Sequence, residues 1–286
     1  MNKRRVLRRI AMLACTLILA SSLIRIVGEH VAAQRDWQLN RSLSALYAKG
    51  ESAAAQPEEQ DQQIPEEPLP PIQEDFKALY EANPHLVGWL TAGQSIDLPV
   101  VQFDNEYYLA HDFFGRKDVN GTLFVNEANQ IWPPDDVILI HGHNMKSGAQ
   151  FGTLRRYERY DYAMRHPLVT FRTIRDPEEV PYVVIAAFNA SMTEGNPEYF
   201  DIGRIRFDSG DEAAPQNAAE FEDYIASIQE LSLWHGPAEA RSGDKLLMLV
   251  TCSYYQDNGR FVLVCRRLRE GETVEGVGAM FDEVGH

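Results

Sequence analysis

DKLLMLVTCSYYQDNGRFVLVCRRL, residues 244–268, decides the fold. Two apolar runs flank a polar stretch that ends in Asn258-Gly259, a turn signal, so the segment reads as a β-hairpin. Side chains alternate along a strand, which puts Leu246, Met248, Val250 and Cys252 on one face and Leu247, Leu249 and Thr251 on the other. On the returning strand Arg260, Val262 and Val264 share a face, while Phe261, Leu263 and Cys265 share the opposite one. The hairpin therefore returns Arg260 to the side of Cys252, and if Arg260 faces a site, Cys265 faces away from it. Cys265 reads as a small core residue, and Cys252, at a strand exit with a polar loop beyond, as the exposed one.

Working outward, short apolar runs alternate with turn residues: IDLPVVQF (96–103), GTLFVNE (121–127), DVILIHG (136–142), LVTFRTI (168–174) and PYVVIAAFNA (181–190). That density of short strands predicts a mainly β barrel or sandwich with a few helices. FKALYEANPHLVGWL (76–90) opens the body with a helix stopped at Asn83-Pro84. A long insertion between Ala190 and Asp244 holds AAEFEDYIASIQELSLW (218–234), where Phe221, Tyr224, Ile225, Ile228 and Leu231 form one helical stripe. It reads as a helix covering one flank of the sheet.

Ahead of the body, Lys3, Arg4, Arg5, Arg8 and Arg9 precede IAMLACTLILASSLI (10–24), which carries no charge before Arg25. Basic residues before an apolar run keep the N-terminus in the cytoplasm and send the chain beyond the run across the membrane. The expected organisation is a basic tail (1–9), an uncleaved signal-anchor crossing the membrane (10–27), an extracytoplasmic helix and acidic linker (28–71), and a folded domain (72–286). A cleaved signal peptide ending at the VAA of 31–33 is the alternative. Residues 49–75 hold eight acidic side chains and, after Lys49, no basic one, together with many Pro and Gln, a composition that cannot bury enough apolar surface to fold. The net charge of −15 argues against nucleic acid as a partner.

Of the three cysteines, Cys15 lies in the apolar run, so the body holds at most one pair, Cys252 and Cys265, which a bridge across adjacent strands would have to join. A nucleophilic cysteine needs a proton partner, usually histidine. Among the eight histidines, His141 and His143 of IHGHN (140–144) stand apart, because a buried strand exits there through Gly142. Their alternate spacing also suits two metal ligands on one strand face, although no third ligand cluster accompanies them. A merely structural His143 is the remaining alternative.

The chain resembles the sortases, and class B in particular. LVTC (249–252) is the counterpart of the family's TLxTC signature, the family arginine matches Arg260, and the family histidine follows a glycine, which selects His143. NPHLVGWL, IDLPVVQ and DNEYYLAHDF (104–113) resemble the class B approach to the barrel, and the helix before the cysteine strand is also a class B feature. The resemblance covers roughly 72–270 and implies a closed eight-stranded β-barrel with an N-terminal helix and a helix in the insertion. The C-terminal membrane segment and the DPW-like lid of the pilin-assembling class C are not seen.

The resemblance further implies a cysteine transpeptidase. Cys252 would attack the threonine carbonyl of a C-terminal sorting signal and form a thioacyl enzyme. His143 would protonate the departing amine and deprotonate the incoming one, and Arg260 would hold the oxyanion or substrate backbone. Asn105 and Leu109 match positions lining the sorting-signal groove, and Thr251 and Ser253 flank the nucleophile, although Leu109 also suits packing and Asn105 also suits capping a helix near Tyr107. The implied partners are secreted proteins bearing sorting signals, a peptidoglycan amine and the cytoplasmic membrane, with no metal or organic cofactor. Three alternatives stand beside this: a cysteine peptidase releasing its acyl group to water, a pilin-polymerising sortase, and an anchored non-catalytic wall-binding domain.

Overall fold

The computed structural model describes residues 37–48, 69–204, 215–253 and 258–284, and the single positions 22, 27, 31, 34 and 35. All but two positions of the 10–27 anchor expectation, and most of the linker, lie outside the described residues. Among those described, no helix is long and apolar enough to cross a membrane.

Among the described residues, eight strands form one sheet: β1 (Leu86–Ala92), β2 (Ile96–Val101), β3 (Leu123–Val125), β4 (Val137–His141), β5 (Leu168–Thr173), β6 (Pro181–Ser191), β7 (Leu246–Ser253) and β8 (Gly259–Arg267). They neighbour one another in the order β1-β2-β3-β4-β7-β8-β6-β5, and β1 pairs with β5, so the sheet closes on itself. Closure decides for a barrel over a sandwich. The β2–β3 and β4–β7 pairs are parallel and the rest antiparallel. In β7 every residue but Cys252 is buried, because one face lines the barrel interior and the other lies under covering elements.

All seven apolar runs are strands, and β1 adds an eighth that periodicity did not single out. Its Gly88 breaks the pattern for a packing reason: a Cβ there would lie 2.6 Å from the Arg172 carbonyl oxygen and 2.8 Å from the Phe171 ring. Glycine lets β1 and β5 approach closely enough to close the ring.

Among the described residues, five α-helices pack around the barrel: α1 (37–48), α2 (Glu74–Ala82), α3 (Tyr160–Arg165), α4 (Pro215–Leu231) and α5 (Val274–Val284). The stripe expected on α4 is the buried one: Phe221, Tyr224, Ile225 and Ile228 join the main core, with Leu231 packed at its edge. The Tyr224 hydroxyl donates to the Ile202 carbonyl at 2.9 Å and lies 3.3 Å from the Met248 sulfur, which seats the helix over β7. α5 was not expected. Gly276 and Gly278 make it a poor helix by propensity, and burial of Val277 and Phe281 holds it in place.

A smaller second core joins α1 and α2 to the outside of β1. Leu43 is fully buried with Phe76, Leu79, Leu86 and Trp89, and Tyr47 stacks on Trp89 at 4.8 Å between ring centroids. Packing therefore starts well before residue 72, the expected beginning of the folded body. Leu39, Leu43 and Tyr47 stand four residues apart on one helical face, a signal that the neighbouring linker composition obscured. Arg172 of β5 ties these layers together. It is buried, pairs with Asp75 of α2, donates to the Tyr47 hydroxyl at 3.1 Å, and lies over the Phe76 ring.

Candidate active site

Three strand ends meet at one rim of the barrel. β4 runs parallel to β7 with His141 level with Val250, so both strands leave the sheet at the same edge. β8 runs antiparallel to β7 and starts at that edge, with Arg260 directly across from Cys252. Asn258 has φ of 56°, a left-handed conformation that asparagine tolerates, and sets the chain for its return. Residues 254–257 of the connecting loop lie outside the described residues.

Cys252, His143 and Arg260 line one cleft of about 450 Å³, which they share with Asn105, Leu109 and Thr251. Met192, Asp201 and Ile202 from the segment after β6 also line it. A hollow of about 610 Å³ between the β5–β6 turn and the segment after β8 is larger but contains no cysteine or histidine. Reactive side chains, rather than volume, mark the candidate site.

Of the two cysteines described, Cys252 is exposed and Cys265 buried, and both are free thiols. They stand five rungs apart on the β7–β8 ladder, since Cys265 pairs with Leu247. That is roughly 17 Å at the strand rise, too far for a bridge. Burial drives the Cys265 thiol pKa far up, which keeps it protonated and inert.

The backbone around the cleft is cross-linked. Gly142 N–H donates to the Val250 carbonyl at 3.1 Å, the Thr251 hydroxyl donates to the Gly142 carbonyl at 2.7 Å, and the Asn144 amide donates to the Cys252 carbonyl at 2.9 Å. The chain leaving β4 is thus laced to the end of β7, which holds the histidine-bearing and cysteine-bearing segments in fixed register. Gly142 is required by space: a Cβ would meet Leu123 Cδ2 at 2.3 Å and Phe151 Cδ2 at 2.8 Å. Gly142→Ala is expected to cost about 1–3 kcal/mol through overpacking and to weaken turnover by displacing His143. A denaturant midpoint equal to that of the parent chain would refute this.

The two histidines of IHGHN have different fates. His141 is half-buried at the cleft against the Phe124 ring, its Nε2 is 3.2 Å from the Asn126 amide, and burial first, then Arg260, lowers its pKa to about 4. It is a neutral histidine at neutral pH. His143 is half-buried at the cleft, where its Nε2 lies 2.7 Å from the Leu109 carbonyl oxygen. The two imidazoles have separate partners, and among the described residues no group of three or more His, Cys, Asp or Glu stands together as a metal site would require.

His141 carries a pH prediction. Unfolded, it takes a proton near its ordinary 6.5, whereas folded it resists until about 4. The unfolded state therefore binds more protons in between, so this contribution is intact above about 6.5 and is lost as the pH falls toward 4. The loss is on the order of 2–3 kcal/mol. Urea unfolding at pH 7 and pH 4.5 should show it, and His141→Gln should flatten the slope; an unchanged slope in that variant would refute the assignment.

The four expected substrate contacts divide. Leu109 is 39% exposed at the cleft, and its carbonyl also meets His143, a backbone contact that no side-chain pattern reveals. Asn105 does not cap the turn after it. Its side chain bonds Glu127, accepting from the backbone N–H at 2.9 Å and donating to the carboxylate at 3.1 Å, while Asp104 does the capping. Thr251 is buried with its hydroxyl on Gly142, so it faces the cleft's frame rather than open solvent. Ser253 is buried and does not line the cleft; its hydroxyl meets Asn189 Oδ1 at 2.9 Å. Both flanking residues lie on the face opposite Cys252, as strand alternation dictates.

No protein-family model matches the chain. Sortase B of Listeria monocytogenes is 28% identical over 196 residues, spanning 67% of this chain and 73% of that protein. A crystal structure described as similar to sortase B, from Bacillus anthracis, superposes with a TM-score of 0.63 at 25% identity, covering 82% of this chain and 96% of that one. The Staphylococcus aureus sortase B–substrate complex superposes with a TM-score of 0.64 at 17% identity, covering 82% and 97%, a likeness of fold. With sequence and fold pointing the same way, this chain is similar to the class B sortases and is a sortase-type cysteine transpeptidase.

Proposed function

We propose that this enzyme cleaves a C-terminal sorting signal after a threonine and joins the threonine to an amine of peptidoglycan. The observation that carries the reading is the placement of an exposed thiol, Cys252, directly across a β-ladder from Arg260 and in one cleft with His143. The sulfur, as thiolate, adds to the threonine carbonyl carbon, and the resulting oxyanion lies within the field of the Arg260 guanidinium. Collapse breaks the peptide C–N bond, the departing nitrogen takes a proton from His143, and a thioacyl enzyme remains. An incoming amine then attacks the thioester carbonyl and gives its proton to His143. The Cys252 sulfur leaves, and the cycle closes without net oxidation.

Asn105 and Leu109, on the cleft wall, would contact the signal peptide, and Thr251 supports the wall from behind. A peptide as ligand accords with the solved substrate complex of the Staphylococcus aureus relative. Residues 10–27 would act as an uncleaved anchor that leaves the catalytic domain outside the cytoplasmic membrane, where sorting signals and wall amines meet. The sequence features behind this are the basic residues before the apolar run.

Incubating the full-length enzyme with a library of sorting peptides and excess oligoglycine or diaminopimelate tests the proposal by mass spectrometry. Amine-ligated threonine product is expected. Hydrolysed peptide alone, whatever the amine, would make the enzyme a peptidase instead, and no peptide turnover at all would favour a wall-binding role.

A further inference from the structure

A single turn of 3₁₀ helix, Tyr107–Leu109, ends at the carbonyl that meets His143. A carbonyl oxygen only accepts, so at 2.7 Å the Nε2 of His143 must carry the hydrogen. In the neutral ring the lone pair then lies on Nδ1, and that nitrogen is the one able to take a proton.

What aims the carbonyl is a set of bonds around the turn. Asp104 Oδ1 accepts from the backbone N–H of Glu106 at 2.9 Å and of Tyr107 at 2.5 Å. The N–H of Tyr107 first, then that of Glu106, holds the Asp104 carboxyl below the usual range, so it stays an acceptor across the working pH. The middle of the turn is pinned as well. Tyr108 is buried, its hydroxyl sits between Asn83 and His85, and its carbonyl accepts the Thr122 N–H at 2.9 Å. Pinned at Tyr108 and capped at Asp104, the turn leaves the Leu109 carbonyl with one direction.

We propose that Asp104 is a positioning residue for His143: it shapes the turn whose Leu109 carbonyl fixes the imidazole with hydrogen on Nε2, leaving Nδ1 to exchange the proton of the reaction. This rests on the reading of His143 as the acid and base of the transpeptidation. Asp104 touches no reacting atom. Its effect passes through two backbone N–H groups and one carbonyl.

The test uses the full-length chain labelled with ¹⁵N-histidine, the His143 signals being assigned by their loss in His143→Gln. In the parent chain the His143 Nε2–H is expected to be visible and protected from exchange with water. Asp104→Ala should speed its exchange at least tenfold, and kcat for ligation should fall about 10–100-fold, as a small misplacement of a catalytic group does. Asp104→Asn keeps an oxygen that accepts the same two N–H groups and should restore both. Absence of a protected Nε2–H in the parent, unchanged protection in Asp104→Ala, or loss in Asp104→Asn equal to that in Asp104→Ala would each overturn the proposal. The ring-proton measurement needs no turnover, so it stands apart from the test of the reaction itself. An inactive parent with a protected proton would count against transpeptidation and leave the positioning intact.

Discussion

Cys252→Ala is expected to abolish peptide ligation, a fall of roughly 10⁴-fold or more, because no other thiol can form the acyl enzyme. Cys265, the other cysteine of the barrel, is fully buried and roughly 17 Å along the ladder, so it cannot substitute. The fold should be indifferent to the change. Cys252 is exposed and its backbone carbonyl, not its side chain, receives the Asn144 amide, so the stability should move by less than about 0.5 kcal/mol. His143→Ala should lose turnover to a comparable degree while Cys252 still reacts with a small alkylating agent. Retention of ligation by Cys252→Ala, measured with the same peptide and amine, would remove the covalent mechanism and return the cleft to a binding role.

Arg260→Lys is the second large effect, and it separates charge from shape. Lysine keeps the positive charge but loses the planar fork that can give two parallel hydrogen bonds to an oxyanion and a backbone carbonyl. Turnover is expected to fall about 10²–10³-fold, the usual loss when one oxyanion donor is removed. Arg260 also has a structural contact, its Nη1 donating to the Gly259 carbonyl at 3.0 Å, so its guanidinium is held back along its own strand. A companion variant reads the charge alone: Arg260→Ala should raise the His141 pKa, since Arg260 is one of the two causes that depress it, whereas Arg260→Lys should leave most of that depression in place. Near-parent ligation by Arg260→Lys would show that a point charge suffices and that the fork has no part in the reaction.

The pair Cys252 and Arg260 was legible in the sequence because a hairpin is a local object. Alternation along two runs and a turn at Asn258-Gly259 are enough to set the two side chains opposite one another, and the ladder pairs them in that register. The same arithmetic placed Cys265 in the core and Thr251 on the face opposite Cys252, whereas Ser253, expected to bind substrate, is buried away from the cleft. The seven apolar runs became strands for the same reason, each carrying its own period. β1 and α5 were less legible, since Gly88, Gly276 and Gly278 weaken the local signal at the places where tertiary contacts supply what propensity lacks.

His143 belongs to another category. Gly142 marks a sharp strand exit in sequence, but nothing local says that this exit abuts Cys252 more than 100 residues later. The parallel pairing of β4 with β7 decides that, and parallel neighbours are joined only by long connections whose course no short window encodes. His141 and His143 both line the cleft, and what separates them is the partner each finds, Asn126 and the Phe124 ring for the first and the Leu109 carbonyl for the second. Leu109 shows the limit most clearly, because its contact with His143 is made by a backbone oxygen, an atom every residue possesses. The sequence by itself determined the strands, the hairpin and the exposed thiol, all set by contacts between near neighbours in the chain. Only the tertiary structure decided closure of the barrel, the docking of α1, and the contact of the His143 imidazole with the Leu109 carbonyl, because each depends on packing between segments far apart in sequence.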